Sequence, residues 1–208
     1  MDYLTFFVTC FTTFFVIVDP PGNLPIFVAL TEKFSKEVRE KISKRSTVVA
    51  LVLLLSVTIT GGAILDFFRI SIDSLRIAGG ILLFIVAMDI VFGGTRKEAY
   101  KRRAEKSIDI DSVAIFPLAL PLYTGPGAIT AGIVLYSQAL DVFSKILVVV
   151  AAVIVFFLVR LSHVYSDAII KLLGESGADI VARILAIFLT ALAVEFVFEG
   201  LKGKINEL

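Results

Sequence analysis

The sequence is poor in the residues from which most active sites are built. Among 208 residues it has one cysteine, Cys10, one histidine, His163, and no tryptophan. A single cysteine excludes an internal disulfide, and one Cys with one His cannot complete a zinc site. The chain also lacks a Gly-x-x-x-x-Gly-Lys phosphate loop, a His-Glu-x-x-His and a Gly-x-Ser-x-Gly. Nucleotide-driven pumping and the common hydrolase chemistries therefore have no residues to use. The acidic residues within the apolar stretches are isolated carboxylates without a nucleophile or metal set, so no enzyme is expected, and neither metal nor cofactor is called for. A net charge of +1 leaves no footprint for nucleic acid.

Apolar side chains are abundant instead. They make up 58% of the chain, with a mean hydropathy of +0.94, whereas soluble domains hold roughly 45–50% even with glycine counted. This excludes a soluble single-core protein. A bilayer core about 30 Å thick needs about 20 apolar residues in a helix, and six such stretches occur. They run from Tyr3 to Thr31 (interrupted), Thr47 to Leu65, Leu75 to Gly94, Ser112 to Ser137 (interrupted), Val142 to Ser162 and Ile180 to Leu201. The expected fold is an all-α, polytopic membrane protein with six transmembrane helices. Asp2 stands where a secretory signal would carry Lys or Arg, so the first stretch is expected to be a retained span.

Fifteen of the twenty Lys and Arg residues fall in three alternate connections: six from Lys33 to Arg45, six from Arg96 to Lys106, and Arg160, Lys171 and Arg183. By the positive-inside rule these connections face the cytoplasm of a multi-pass plasma-membrane protein, with both termini on the other side. The mixed segment from Leu161 to Leu173 reads as an extension of the fifth span or a short interfacial helix ending at Gly174. His163 is expected there as an interfacial residue, with a proton relay as the alternative. Cys10 reads as a packing residue.

All six prolines lie within two of the apolar stretches. Asp19-Pro20-Pro21-Gly22-Asn23-Leu24-Pro25 interrupts the first, and Pro117 to Gly127, with prolines at 117, 121 and 126, interrupts the fourth. Proline removes an amide donor and collides with the preceding turn, so neither segment continues a helix. Pro21-Gly22 superposes on Pro126-Gly127 at an offset of 105 residues, and Arg76-Ile77-Ala78-Gly79-Gly80 with Gly93 lies against Arg183-Ile184-Leu185-Ala186-Ile187 with Gly200 at 107. The chain therefore divides into a first repeat of about residues 1–95, a basic loop of about 96–111 and a second repeat of about 112–208. An odd number of spans per half makes this an inverted repeat, the plan of many secondary transporters. Irregular backbone at membrane depth is tolerated where protein or water covers it, so the two breaks are expected to meet.

Half-helix N-termini near Asn23 and Ala128 offer free amides and about half a positive charge, which suits a carboxylate. The carbonyl ends of the preceding half-helices, together with Asp19, suit an ammonium group. A site of both signs fits a small zwitterion. The candidate binding residues are Asp19, Pro20, Gly22, Asn23, Thr124, Gly125, Gly127 and Thr130. Carboxylates inside spans are costly and so candidates for function, which makes Asp19, Asp89 and Glu195 proton-coupling candidates. Their plainer readings are a local turn cap for Asp19 and interfacial or packing roles for the other two. Gly61-Gly62 and Gly79-Gly80 read as close helix packing.

Asp19-Pro20-Pro21-Gly22-Asn23-Leu24-Pro25-Ile26, Arg76 to Phe84 (RIAGGILLF) and Pro117 to Ile129 (PLALPLYTGPGAI) resemble the signature stretches of the MarC family of integral membrane proteins. The resemblance extends over essentially the whole chain. It implies kinship with SnatA-like transporters of small neutral amino acids such as glycine and alanine, coupled to protons, with the two breaks as the transport site. The expected function is secondary transport by alternating access, with the bilayer, a zwitterionic substrate and protons as partners and a homo-oligomer compatible with the sequence. An ion- or small-solute-conducting channel, or an exporter of another small metabolite, is the alternative.

Overall fold

The computed structural model describes residues 2–92 and 110–206. The basic loop of about 96–111, except for its last two residues, lies outside the described residues, as do Gly93 and Gly94 at the end of the expected third span. The described chain is helical: α1 (Tyr3–Val18), α2 (Leu24–Thr31), α3 (Lys36–Phe68), α4 (Ile72–Val91), α5 (Ile110–Val113), the irregular α6 (Ala114–Tyr123), α7 (Pro126–Gln138), α8 (Val142–Val164) and α9 (Ser166–Asn206). α1, α3, α4 and α8 each start at a side chain that supplies the acceptor the first turn needs. Asp2 takes the Thr5 amide at 2.6 Å for α1, Ser71 the Ser74 amide at 3.1 Å for α4, and Asp141 the Ser144 amide at 3.0 Å for α8. α9 is bent at Gly174, whose φ of +67° leaves the helical region; the segment from Leu161 to Leu173 is thus divided, its first residues ending α8 at Val164 and the rest forming the start of α9 up to the bend.

By length and composition, α3, α4, α8 and Asp179–Asn206 of α9 are each able to cross a membrane, and Ile110–Tyr123 with Pro126–Gln138, bent by 58°, makes a fifth span if taken as one. The expected first span is divided between α1, with 16 residues, and α2, with eight. Large apolar side chains lie on the outer surface, among them Phe157 at 62% and Phe188 at 59% exposure. A surface of this kind is at home in lipid and not in water.

Two packed groups organise the interior. Phe14, Val18, Phe27, Leu54, Leu118 and Val148 belong to a core shared by α1, α2, α3, α6 and α8. Leu83 and Ala87 of α4 close a second core with Leu189, Ala193 and Phe196 of α9 and Ala131 of α7. The α4–α9 contact is intimate because Gly80 presents no side chain: a Cβ there would collide with the carbonyl of Ala193. Gly79 likewise makes room for Thr130 of α7, which gives both glycines the packing role expected of them. α1 packs on α8 and the irregular α6 on α3, α2 touches α9 and α4 touches α7, and α3 also packs on α7 and α8.

Candidate functional site: a cavity where the two breaks meet

The first break is organised by Asp19. α1 ends when this residue adopts the left-handed conformation, φ 48° and ψ 65°, which Asp tolerates better than most side chains. Its amide still donates to the Phe15 carbonyl at 2.9 Å, and its Oδ1 accepts the Gly22 amide at 2.9 Å. The side-chain nitrogen of Asn23 donates back to the Val18 carbonyl at 2.7 Å, satisfying the open end of α1. α2 follows with Pro25 in its first turn, where a helix has no use for an amide hydrogen.

The second break arises from Pro117 and Pro121. Phe116 and Leu120, the residues before them, are extended, with φ/ψ of −131°/118° and −126°/131°, as steric conflict with a following proline ring requires. The Thr124 amide donates to the Ala119 carbonyl at 3.0 Å, and its hydroxyl donates to the Ala50 carbonyl of α3 at 2.8 Å. α7 then begins at Pro126 with no side chain capping its amides.

These breaks face a common cavity of about 290 Å³, near the lower end of the roughly 300–1,000 Å³ usual for small-molecule sites. Asp19 and Asn23 contribute from the first break, Pro121 to Tyr123 and Gly125 to Ala128 from the second. Leu82, Leu83 and Val86 of α4 and Leu189 of α9 complete an otherwise apolar wall. Asp19 is 6% exposed and is the one acidic side chain among the described lining residues. The uncapped first turn of α7 meets the cavity at Gly127 and Ala128. Acceptor and donor poles therefore stand in one small, mostly apolar space.

Not every candidate reaches it. Asp19, Asn23, Gly125 and Gly127 line the cavity; Pro20, Gly22, Thr124 and Thr130 do not. Pro20 turns its carbonyl to the Ser162 hydroxyl at 3.4 Å, Gly22 holds the Asp19 carboxylate, Thr124 anchors the break to α3, and Thr130 packs on α4 at Gly79. Asp89 is half-buried on α4 and Glu195 exposed on α9, and neither is in the cavity wall. Among the described residues no three His, Cys, Asp or Glu side chains converge to hold a metal ion.

The expectation of an interfacial His163 is corrected. This residue is 4% exposed because its face of α8 turns inward against α2, α3 and α6. Phe27 stacks flat on the imidazole, ring centres 3.7 Å apart and planes within 6°. Nε2 lies 2.6 Å from the Tyr123 hydroxyl and Nδ1 lies 2.9 Å from the Ser43 hydroxyl. Tyr123, in the signature stretch from Pro117 to Ile129, opens the segment to Gly127 that the resemblance implies for the site but is not among the individual binding residues expected from the sequence. A lone histidine opposite a tyrosine in a proline-rich break was the available signal, but its meaning depends on a contact spanning 40 residues. Beyond His163 lies a second cavity of about 240 Å³, where Arg39 pairs with Asp167 at 2.9 Å and Arg160 with Glu40 at 3.0 Å.

A helical chain with an apolar exterior, several membrane-length helices and two broken segments around a small interior cavity is an integral, multi-pass membrane protein. Residues 4–205 match the model of the MarC family of integral membrane proteins, and the chain belongs to that family. A UPF0056 membrane protein of Archaeoglobus fulgidus is 70% identical over 98% of this chain and 95% of its own length. One from Methanocaldococcus jannaschii is 35% identical over 97% and 98%, and YhcE of Escherichia coli is 34% identical over 93% and 90%. No solved structure matches.

Proposed function

We propose that this protein is a secondary transporter, not an enzyme, that moves small neutral amino acids of the glycine and alanine type across the plasma membrane with coupled protons. One observation carries the reading. The two broken helices converge on a single small cavity that combines a buried carboxylate, Asp19, with the uncapped N-terminus of α7. The α7 amides suit a substrate carboxylate, and Asp19 suits its ammonium group or the coupled proton. The cavity's small volume favours substrates of few atoms over bulky ones.

The same reading takes α1 with α2 as one broken span, giving six, and divides the chain into inverted repeats of about 1–95 and 112–208. The matching of α1–α8 by α6–α3 and of α2–α9 by α7–α4 supports it. Alternating access then consists of one half rocking against the other around the breaks. The cation count supports a cytoplasmic location for the Arg39 and Arg160 side, with both termini on the other side; association into a homo-oligomer is compatible with this arrangement. Counterflow of labelled glycine and alanine in proteoliposomes, together with their uptake measured with and without a pH gradient, tests the proposal. Saturable flux accelerated by the gradient is expected, and the absence of saturable flux for any neutral amino acid overturns it. Unit conductance steps in a planar bilayer would instead identify a channel.

A further inference from the structure

We infer that the hydrogen-bonded pair Tyr123–His163 is the proton route joining the central cavity to the basic vestibule beyond it, an inference that rests on the transporter reading above. The placement of the pair is the argument. Tyr123 is 1% exposed and forms part of the central cavity wall with Asp19, whereas His163 forms part of the vestibule wall with Ser43 and Arg160. A single contact of 2.6 Å between Tyr123 Oη and His163 Nε2 thus links the linings of two separate spaces. Phe27, stacked on the imidazole, and the Ser43 hydroxyl at Nδ1 fix the ring in the orientation that makes this link.

The charges around the ring are mutually paired. On α8, Arg160 donates to Ser43 Oγ at 2.8 Å and to Glu40 at 3.0 Å. Asp167 of α9 meets Arg39 at 2.9 Å and Lys36 at 4.0 Å, both from α3. α6 presents Tyr123, and the break before α2 presents Asp19 to the same cavity as Tyr123. Two carboxylates therefore accompany the three cations of the vestibule, which leaves water and hydroxyls to carry protons to the ring.

Donor and acceptor inventory orders the hydrogens. Arg160 can only donate, so it occupies one lone pair of Ser43 Oγ and leaves the Ser43 hydrogen free for donation to Nδ1, the arrangement the route uses. The ring hydrogen then sits on Nε2 and is donated to Tyr123 Oη, whose own hydrogen is available to the central cavity. A proton taken up at Nδ1 through Ser43 is balanced by transfer of the Nε2 hydrogen to Tyr123 and release of the Tyr123 hydrogen into the central cavity that Asp19 also lines. One proton enters, one leaves, and Ser43, His163 and Tyr123 are all neutral at the end. Reorientation of the hydroxyls and a return of the ring tautomer reset the path, and the same steps run backwards carry a proton out.

The test uses the full chain in proteoliposomes with labelled glycine and alanine, measuring counterflow, which needs no net proton movement, and accumulation driven by a pH gradient, with a luminal pH dye as a direct readout. Tyr123→Phe keeps the ring and removes the relay oxygen. It is expected to lose both gradient-driven accumulation and the dye response. Ser43→Ala, at the vestibule end and outside the central cavity, is expected to lose the same two while keeping counterflow, and decides the matter if Tyr123→Phe does not fold. Retention of gradient-driven accumulation in a folded variant, or loss of counterflow in Ser43→Ala, overturns the route. Wild-type flux with no proton movement overturns the route and the proton coupling and leaves amino acid transport standing; absence of wild-type counterflow overturns both.

Discussion

The Gly22 amide donates to the Asp19 carboxylate at 2.9 Å within the turn that joins α1 to α2, and a Cβ at Gly22 would occupy the carboxylate's own space. The turn cap and the cavity carboxylate, which stood as alternatives in the sequence, are therefore one side chain: one oxygen closes the turn while the residue lines the cavity. Asn at position 19 retains an acceptor for Gly22 and tolerates the left-handed conformation, but it takes up no proton. Asp19→Asn is expected to elute and melt close to wild type in detergent while its amino acid uptake ceases to respond to a pH gradient. Uptake with an unchanged gradient response would remove Asp19 from coupling and leave its role in the turn.

Gly22→Ala acts on the same turn by a different means. The added methyl displaces the Asp19 carboxylate, and overpacking of this kind costs about 1–3 kcal/mol. A lowered thermal midpoint together with weakened substrate counterflow is expected, because the displaced carboxylate belongs to the cavity wall. A neutral outcome in both measurements would show that the turn relaxes without moving Asp19.

Thr124 is a structural anchor in this molecule. Its hydroxyl reaches the Ala50 carbonyl across 2.8 Å, tying the second break to the middle of α3. Thr124→Val keeps the shape and removes the bond. The Ala50 carbonyl retains its helical partner, so the loss is about 0.5–1.5 kcal/mol. Differential scanning in detergent should show the decrease, with the apparent substrate affinity of the folded protein changed less than in the Gly22 variant.

The proline-rich breaks were legible in the sequence because proline acts through its own ring and missing amide, whatever surrounds it. The same holds for the long apolar helices and for Gly79 and Gly80, whose lack of a side chain has few uses inside a helix. Direction was not legible. Thr124 adjoins the cavity-lining Gly125 and Thr130 follows Gly127 by three residues, yet one points to α3 and the other to α4, since the face that a residue presents depends on the neighbouring helices. His163 shows the same limit. A polar residue near a helix end reads alike whether it meets water or a buried tyrosine, and only the position of α2 and α6 decides between them.

Glu195 separates the consequences of charge in a helix from those of charge in the site. It is exposed on α9 and absent from the cavity wall, unlike Asp19. Glu195→Gln is accordingly expected to leave counterflow and the response to a pH gradient unchanged. A loss of gradient-driven uptake in this variant would assign coupling to the outer face of α9 and displace Asp19 from that role.

Asp141 lies outside the membrane helices, at the start of α8, and provides a pH-dependent element of stability. The Ser144 amide at 3.0 Å and the Ser144 hydroxyl at 2.7 Å hold its carboxyl below the ordinary value of 3.8. A depressed folded-state value means that the unfolded chain binds this proton more readily, so the cap stabilises above the ordinary value and its contribution fades as pH falls through the folded value. Asp141→Ala should therefore melt below wild type at neutral pH, with the gap narrowing as the pH drops below 3.8. A gap independent of pH would show that the contribution of Asp141 comes from packing or backbone conformation and not from its ionised carboxylate, because only the latter is titrated away.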